Sequence, residues 1–211
     1  MTEAVSNTRI LRIAVPIVLS NATVPLLGAV DTAVVGQLGL AAPIGAVGIG
    51  SVILSTFYWA FGFLRMSTSG IAAQAKGAGD AEAPRASLHR ALATGLAIGL
   101  VLVLLQKPLF ALAFAVAPAS PGVEDLARSY LSIRIWAAPA SISLYAIVGW
   151  LVGMERARGV FLLQLWQNGV NMGLDLWFVL GLGWAVKGVA TATFMAEVSG
   201  LALGLFLVRD A

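Results

Sequence analysis

The sequence predicts an all-α, polytopic membrane protein, and three observations carry that expectation. Only 11% of the residues are charged and 59% are hydrophobic, whereas a soluble domain carries about a quarter charged residues. A mean hydropathy of +0.92 leaves too little polar surface to cover a water-soluble globule. The apolar residues also fall into long stretches, and about 20 such residues in a row suffice to cross a bilayer as a helix.

Six stretches qualify, at about 10–36, 44–74, 88–117, 124–150, 158–181 and 186–208. Turn chemistry marks the joints: Gly39 to Pro43, Lys76 to Pro84, Pro118 to Gly122, Glu155 to Gly159, and Gly181 to Gly183. Lys107-Pro108 interrupts the third stretch, and Arg134 sits inside the fourth. The whole chain, 1–211, is expected to form a single transmembrane lobe.

Lysine and arginine in short loops set the orientation. One side collects Arg9, Arg12, Lys76, Arg85, Arg90, Arg156, Arg158 and Arg209, while the other holds little beyond Arg128 and Lys187. Both termini are therefore expected in the cytoplasm, which agrees with an even number of spans across an inner membrane. Scattered in this way at span ends, the basic residues do not form a nucleic-acid-binding face. The apolar run after Arg12 is too long for a secretory signal peptide and contains Asp31 and two prolines.

Several chemistries are excluded. The chain has no cysteine, and its one histidine, His89, lies between Arg85 and Arg90, so neither a thiolate nor a histidine metal cluster is available. No phosphate-binding loop, dinucleotide fingerprint, zinc-protease motif or nucleophile elbow occurs. An ATP-driven pump or a hydrolytic enzyme is thus not expected. No bound cofactor is called for, and any driving force must come from an ion gradient.

Charges inside membrane spans are expensive, about 2.5–3.5 kcal/mol each on insertion scales, and by default face a protein interior or a water-filled cavity. This chain keeps several: Asp31, Arg65, Arg134, Asp175 and Glu197. In the fifth span, Gln164, Asn168, Asn171 and Asp175 are spaced four, three and four apart, which places them on one helix face along about 16 Å of axis. Such a stripe suits the wall of an aqueous cavity. Interhelical hydrogen bonding for packing alone is the alternative for Gln164 and Asn168, but a carboxylate is poor glue. Asp31, beside Pro16, Pro25, Gly28 and Gly36, is a carboxylate on a bendable segment and suits reversible proton uptake, unless it pairs with Arg65 or Arg134. Thr193 and Glu197 share one face of the sixth span, and Tyr130 and Arg134 one face of the fourth. Arg65, Arg134 and Glu197 are expected as structural intramembrane charges, with Glu197 a candidate partner for Arg134. Close-packing pairs at Gly95/Gly99, Gly149/Gly153, Gly169/Gly173 and Gly200/Gly204 favour a compact bundle.

Three segments carry a family likeness. "LRIAVPIVLSNATVPLLGAVDTAVVGQLG", "WAFGFLRMSTSGIAAQAKGAGD" and "YLSIRIWAAPASI" resemble the first, second and fourth helices of MATE (multidrug and toxic compound extrusion) transporters, most closely the DinF-type branch. The resemblance runs from about Arg9 to Arg209. It implies one six-helix lobe, the amino-terminal one, of a twelve-helix cation antiporter that exports cationic or amphipathic drugs against protons or sodium ions by alternating access. It further implies that Asp31, Asn171, Asp175 and Thr193 form an ion-coupling cluster, a candidate sodium site, and that Tyr130 joins Gln164 and Asn168 in lining the substrate cavity.

The second lobe is absent from this sequence, so a missing carboxy-terminal half or a second copy of the chain is the expected partner, beside the lipid bilayer and drug-like substrates. Alternatives are a gene fragment, a non-transporting or inactive membrane subunit, and a lipid-linked flippase-like transporter. The last would want more basic cavity residues than Arg65 and Arg134.

Overall fold

The computed structural model describes residues 15, 18, 29–80 and 82–209. Arg9, Arg12, Pro16, Pro25 and Gly28 lie outside these residues. Among the described residues the chain is all-helical, with no strand.

The breaks between helices fall where backbone chemistry dictates. Helix α1 (29–36) is followed by Gly39 at φ +69, a left-handed conformation open to glycine, which turns the chain into α2 (Ala41–Trp59). The expected span 44–74 is divided. After α2 the N–H groups of Phe61, Gly62, Leu64 and Arg65 bond three residues back, a tightened turn that leads directly into α3 (Phe63–Gly77). The expected span 88–117 is likewise two helices, α4 (Ala83–Leu104) and α5 (Gln106–Val116). Pro108, which cannot donate to a preceding carbonyl, falls in the first turn of α5, where no such bond is needed.

Proline has the same effect in the fourth stretch. Helix α6 (Pro121–Arg134) passes through a 3₁₀ turn (Ile135–Ala137) into α7 (Ala138–Gly153), with Pro139 in the first turn of α7. Helix α8 (Ala157–Asp175) runs into a π-helical turn (Leu176–Gly181), and α9 (Ala185–Leu207) completes the described fold.

Asp80 starts α4: its Oδ1 accepts the N–H groups of Glu82 at 2.9 Å and Ala83 at 3.0 Å. These two bonds hold the Asp80 carboxyl below the usual carboxylate range. The cap's contribution is therefore complete at neutral pH and is lost as the pH falls through that lowered value. Asp80→Ala is expected to lower thermal stability at neutral pH and to make little difference in strong acid; thermal melts across pH check this.

Helix α7 is the hub. It is buried along most of its length and packs against α3, α4 and α9, while α6 packs on α2 and α9, and α8 on α9. One apolar core joins Val35, Leu54, Leu131, Ile135 and Ile142, and a second joins Leu88, Ile147, Trp150, Leu151 and Leu163. The outer surface carries large exposed apolar side chains such as Trp59, Met66, Leu104 and Val116, as a lipid-facing surface does. Among the described residues, four helical runs are long and apolar enough to cross a membrane: α2, α4, Pro121–Gly153 and α9. Helix α8 is not one of them, because its amides and Asp175 dilute its apolar residues.

Three of the four glycine pairs make close approaches. A Cβ on Gly149 would collide with the Arg65 carbonyl, one on Gly153 would lie 2.5 Å from the Ser69 carbonyl oxygen, and Gly95 and Gly99 meet the backbone of α7 around Ser143 and Pro139. Gly200 and Gly204 take the side chains of Gln167 and Ile147. Gly169 and Gly173 meet no described atom within 4 Å, so their spacing seats no other described helix. Gly149→Ala is expected to cost about 1–3 kcal/mol, and Gly169→Ala nothing, in unfolding of the purified chain.

Candidate functional site

Six helices bring the intramembrane polar residues to two adjoining centres. The first lies between α1, α8 and α9. Asn171 and Asp175 are fully buried on one face of α8, Asp31 is 7% exposed on α1, and Thr193 is 5% exposed on α9. With its nitrogen turned toward both acids, the Asn171 carboxamide satisfies all three of its polar neighbours. That nitrogen donates to Asp31 Oδ1 and Asp175 Oδ2, at 3.1 Å each, while the amide oxygen lies 3.0 Å from Thr193 Oγ1. Thr193 Oγ1 also lies 2.9 Å from the carbonyl oxygen of Val189. Asp175 Oδ1 is buried with no hydrogen-bond partner. The π-helical turn begins at the next residue, Leu176, a backbone irregularity often found at functional sites.

The second centre lies one turn further along α9. Arg134 Nη2 donates to Glu197 Oε1 at 3.0 Å, and the Ser141 hydroxyl donates to Glu197 Oε2. Arg134 Nε donates to the Tyr130 hydroxyl at 3.3 Å, and that hydroxyl in turn lies 3.1 Å from Ser51 Oγ. Arg134 and Tyr130 are both buried. The charge on Glu197 is therefore met from two helices, with Arg134, the candidate partner from sequence, as its cation.

A cavity of about 330 Å³ with both polar and apolar walls adjoins both centres. Thr193 and Glu197 form part of its wall from α9, Gln164, Gln167 and Asn168 from α8, and Ser141 and Tyr145 from α7. Tyr58 of α2 and Arg65 of α3 close it on another side. Thr193 thus belongs to both the carboxylate cluster and the cavity wall.

The structure places Gln164 and Asn168 on the cavity wall, and it brings Asp31, Asn171, Asp175 and Thr193 into one cluster. Tyr130, expected on the wall, is instead buried below it, and its ring rests on Gly50, where a Cβ would come within 2.5 Å. Arg65, expected as a structural charge, lines the cavity. Tyr58, Gln167 and Ser51 are additions. Two of them carry a signal in the sequence: Gln167 follows Gln164 by three residues on the same helix, and Tyr58 precedes Arg65 by seven, a helical spacing as well. Ser51 carries none.

Two carboxylates, an amide and a hydroxyl in one dry cluster can hold a single small cation. The donor set offers hard oxygens, which suit a proton or an alkali ion. A sodium ion between the acids needs the Asn171 oxygen facing them. In that second orientation, the amide nitrogen donates to Thr193 Oγ1 at 3.0 Å.

The MatE family model matches residues 16–177. Over 204 residues the chain is 40% identical to the DNA damage-inducible protein F of Escherichia coli (strain K12), covering 97% of this chain and 44% of that protein. It is 30% identical to the probable multidrug resistance protein NorM of Caulobacter vibrioides, covering 95% of this chain and 43% of that protein. A crystal structure of MATE in the bent conformation superposes with a TM-score of 0.86 at 25% identity, covering 96% of this chain and 46% of that one. The chain spans about half the length of the curated relatives it matches.

Proposed function

Because the chain belongs to the MatE family, whose members are membrane transporters and not enzymes, we propose that it is the amino-terminal six-helix lobe of a cation-coupled multidrug exporter. Lobe 1–211 would work with a second six-helix lobe, supplied by further chain or by another copy. The curated relatives, about twice as long, support that partner. The observation that carries the reading is the single Asn171 nitrogen shared by the carboxylates of Asp31 and Asp175, next to a cavity wide enough for part of a drug-sized molecule.

The mechanism follows from charge. With both acids ionised, the Asn171 nitrogen bridges them. A proton or sodium ion entering between them neutralises part of that charge and turns the amide over, so that its oxygen faces the acids and its nitrogen faces Thr193. Thr193 then reports the loaded state to the cavity wall. Ion and drug exclude one another to the extent that each binds one state of this wall more tightly than the other.

Placement in the inner membrane with both termini cytoplasmic rests on the loops. Lys76 Nζ pairs with Glu155 at 3.4 Å and donates to the Met154 carbonyl oxygen at 3.2 Å, which joins the α3–α4 and α7–α8 loops at one end of the bundle. Those loops and the helix ends that flank them carry Lys76, Arg85, Arg156 and Arg158, the excess that marks a cytoplasmic side.

The test is drug accumulation in cells making the complete exporter, with the proton and sodium gradients collapsed in turn. Export should stop with one of them. Export that survives both treatments would overturn ion coupling.

A further inference from the structure

The cavity wall carries one cation with no acid paired to it among the described residues. Of the two charged side chains on its wall, Glu197 is already met by Arg134 and Ser141. Arg65 is not: among the described residues no carboxylate lies within ion-pair distance of it. Helix α3 is pinned by the close contact of the Arg65 carbonyl with Gly149, so the residue is held at the cavity, and an unpaired arginine at membrane depth is costly unless something uses it. Tyr58 adds a second group: it is 7% exposed, lines the same cavity, and among the described residues its hydroxyl meets no partner at full hydrogen-bonding geometry. Leu144, Val148 and Ala196 supply an apolar flank.

An open cation and an open hydroxyl beside apolar surface call for a ligand with acceptor oxygens and a hydrophobic body. A ligand's cation would find Glu197, the one acid on this wall among the described residues, already met by Arg134 and Ser141. We propose that this cavity binds the oxyanion head of an amphiphile (a carboxylate, sulfonate or phosphate), with Arg65 supplying the charge and Tyr58 a hydrogen bond. The proposal rests on the cavity being the substrate chamber and deepens that reading by fixing the sign of charge it accepts. Arginine suits the task because its planar fork pairs with two oxygens at once.

The experiment uses the chain in phosphatidylcholine nanodiscs and two fluorescent probes of the same length, dansyl-undecanoate and its trimethylammonium counterpart. The carboxylate probe should bind the tighter of the two. Arg65→Gln should weaken the carboxylate probe by about tenfold, the typical loss for a charge-assisted hydrogen bond, and should leave the ammonium probe unchanged or improved. Arg65→Lys should restore part of the loss, and Tyr58→Phe should weaken the carboxylate probe severalfold. Tighter binding of the ammonium probe by the unmodified chain, or equal carboxylate affinity in Arg65→Gln, overturns the proposal.

Adding phosphatidylglycerol to the discs separates the two sources of the oxyanion. If it displaces the probe through Arg65, the natural ligand is a lipid headgroup; if it does not, a free amphiphile fills the cavity. Binding in nanodiscs needs no ion gradient. Loss of the Arg65 effect with gradient-driven export intact therefore refutes the charge assignment alone, and the converse refutes coupled transport alone.

Discussion

Asp31→Asn and Asp175→Asn are each expected to abolish gradient-driven export by the complete exporter while the protein level in the membrane holds. Asparagine keeps the volume and the hydrogen-bonding reach of aspartate and removes only its ability to ionise, so the fold of the cluster survives. What is lost is the charge that, under the proposed mechanism, a coupling cation neutralises. With one acid gone, the Asn171 nitrogen no longer bridges two anions, and the amide has no reason to turn over between empty and loaded states. Drug resistance of cells, set against immunoblots of the same membranes, checks this. Unchanged resistance in both variants would remove the cluster from the mechanism. A fall in protein level together with resistance would make the cluster an assembly element, as in a non-transporting subunit.

Glu197→Ala has the largest expected effect on stability, about 3–5 kcal/mol, because it strands a buried guanidinium. Arg134 is 8% exposed, and Glu197 is the acid it pairs with. Loss of that partner leaves a buried guanidinium with the Tyr130 hydroxyl as its remaining acceptor among the described residues. The double variant Arg134→Met with Glu197→Leu should recover most of the loss, since a well-packed apolar pair often matches a buried ion pair. Thermal unfolding of the purified chain distinguishes the two. A Glu197→Ala chain as stable as the unmodified one would mean that the pair is solvated and contributes little.

Helical periodicity makes the α8 stripe legible in the sequence itself. A four-three-four spacing admits one face only, and Asn168, Asn171 and Asp175 share that face, buried. The carboxylate partner of Arg134 is legible only as a candidate, because pairing across helices depends on rotation and depth, which a linear pattern does not encode. Breaks in the long spans are half legible. Pro108 and Pro139 announce a local change, yet the tight turn around Gly62 comes from backbone bonding that other sequences also permit. Glycine spacing alone does not tell contacts apart: the pattern that seats α3 on Gly149 meets no described atom at Gly169 and Gly173. The position of Tyr130 escapes the sequence for a related reason: its ring sits over Gly50 of α2, a contact that exists only once α2 and α6 are packed. Tyr58 is hard to single out because an aromatic near a span end resembles an interfacial anchor.

Cation uptake at the Asp31–Asp175 pair can be measured on the chain itself. In lipid nanodiscs, protons taken up on acidification and sodium bound at fixed pH are counted for the unmodified chain and for the double variant Asp31→Asn, Asp175→Asn. The predicted result is one cation per chain, proton or sodium, that the double variant fails to bind. Equal uptake of both ions by the two proteins would contradict a coupling site in this lobe.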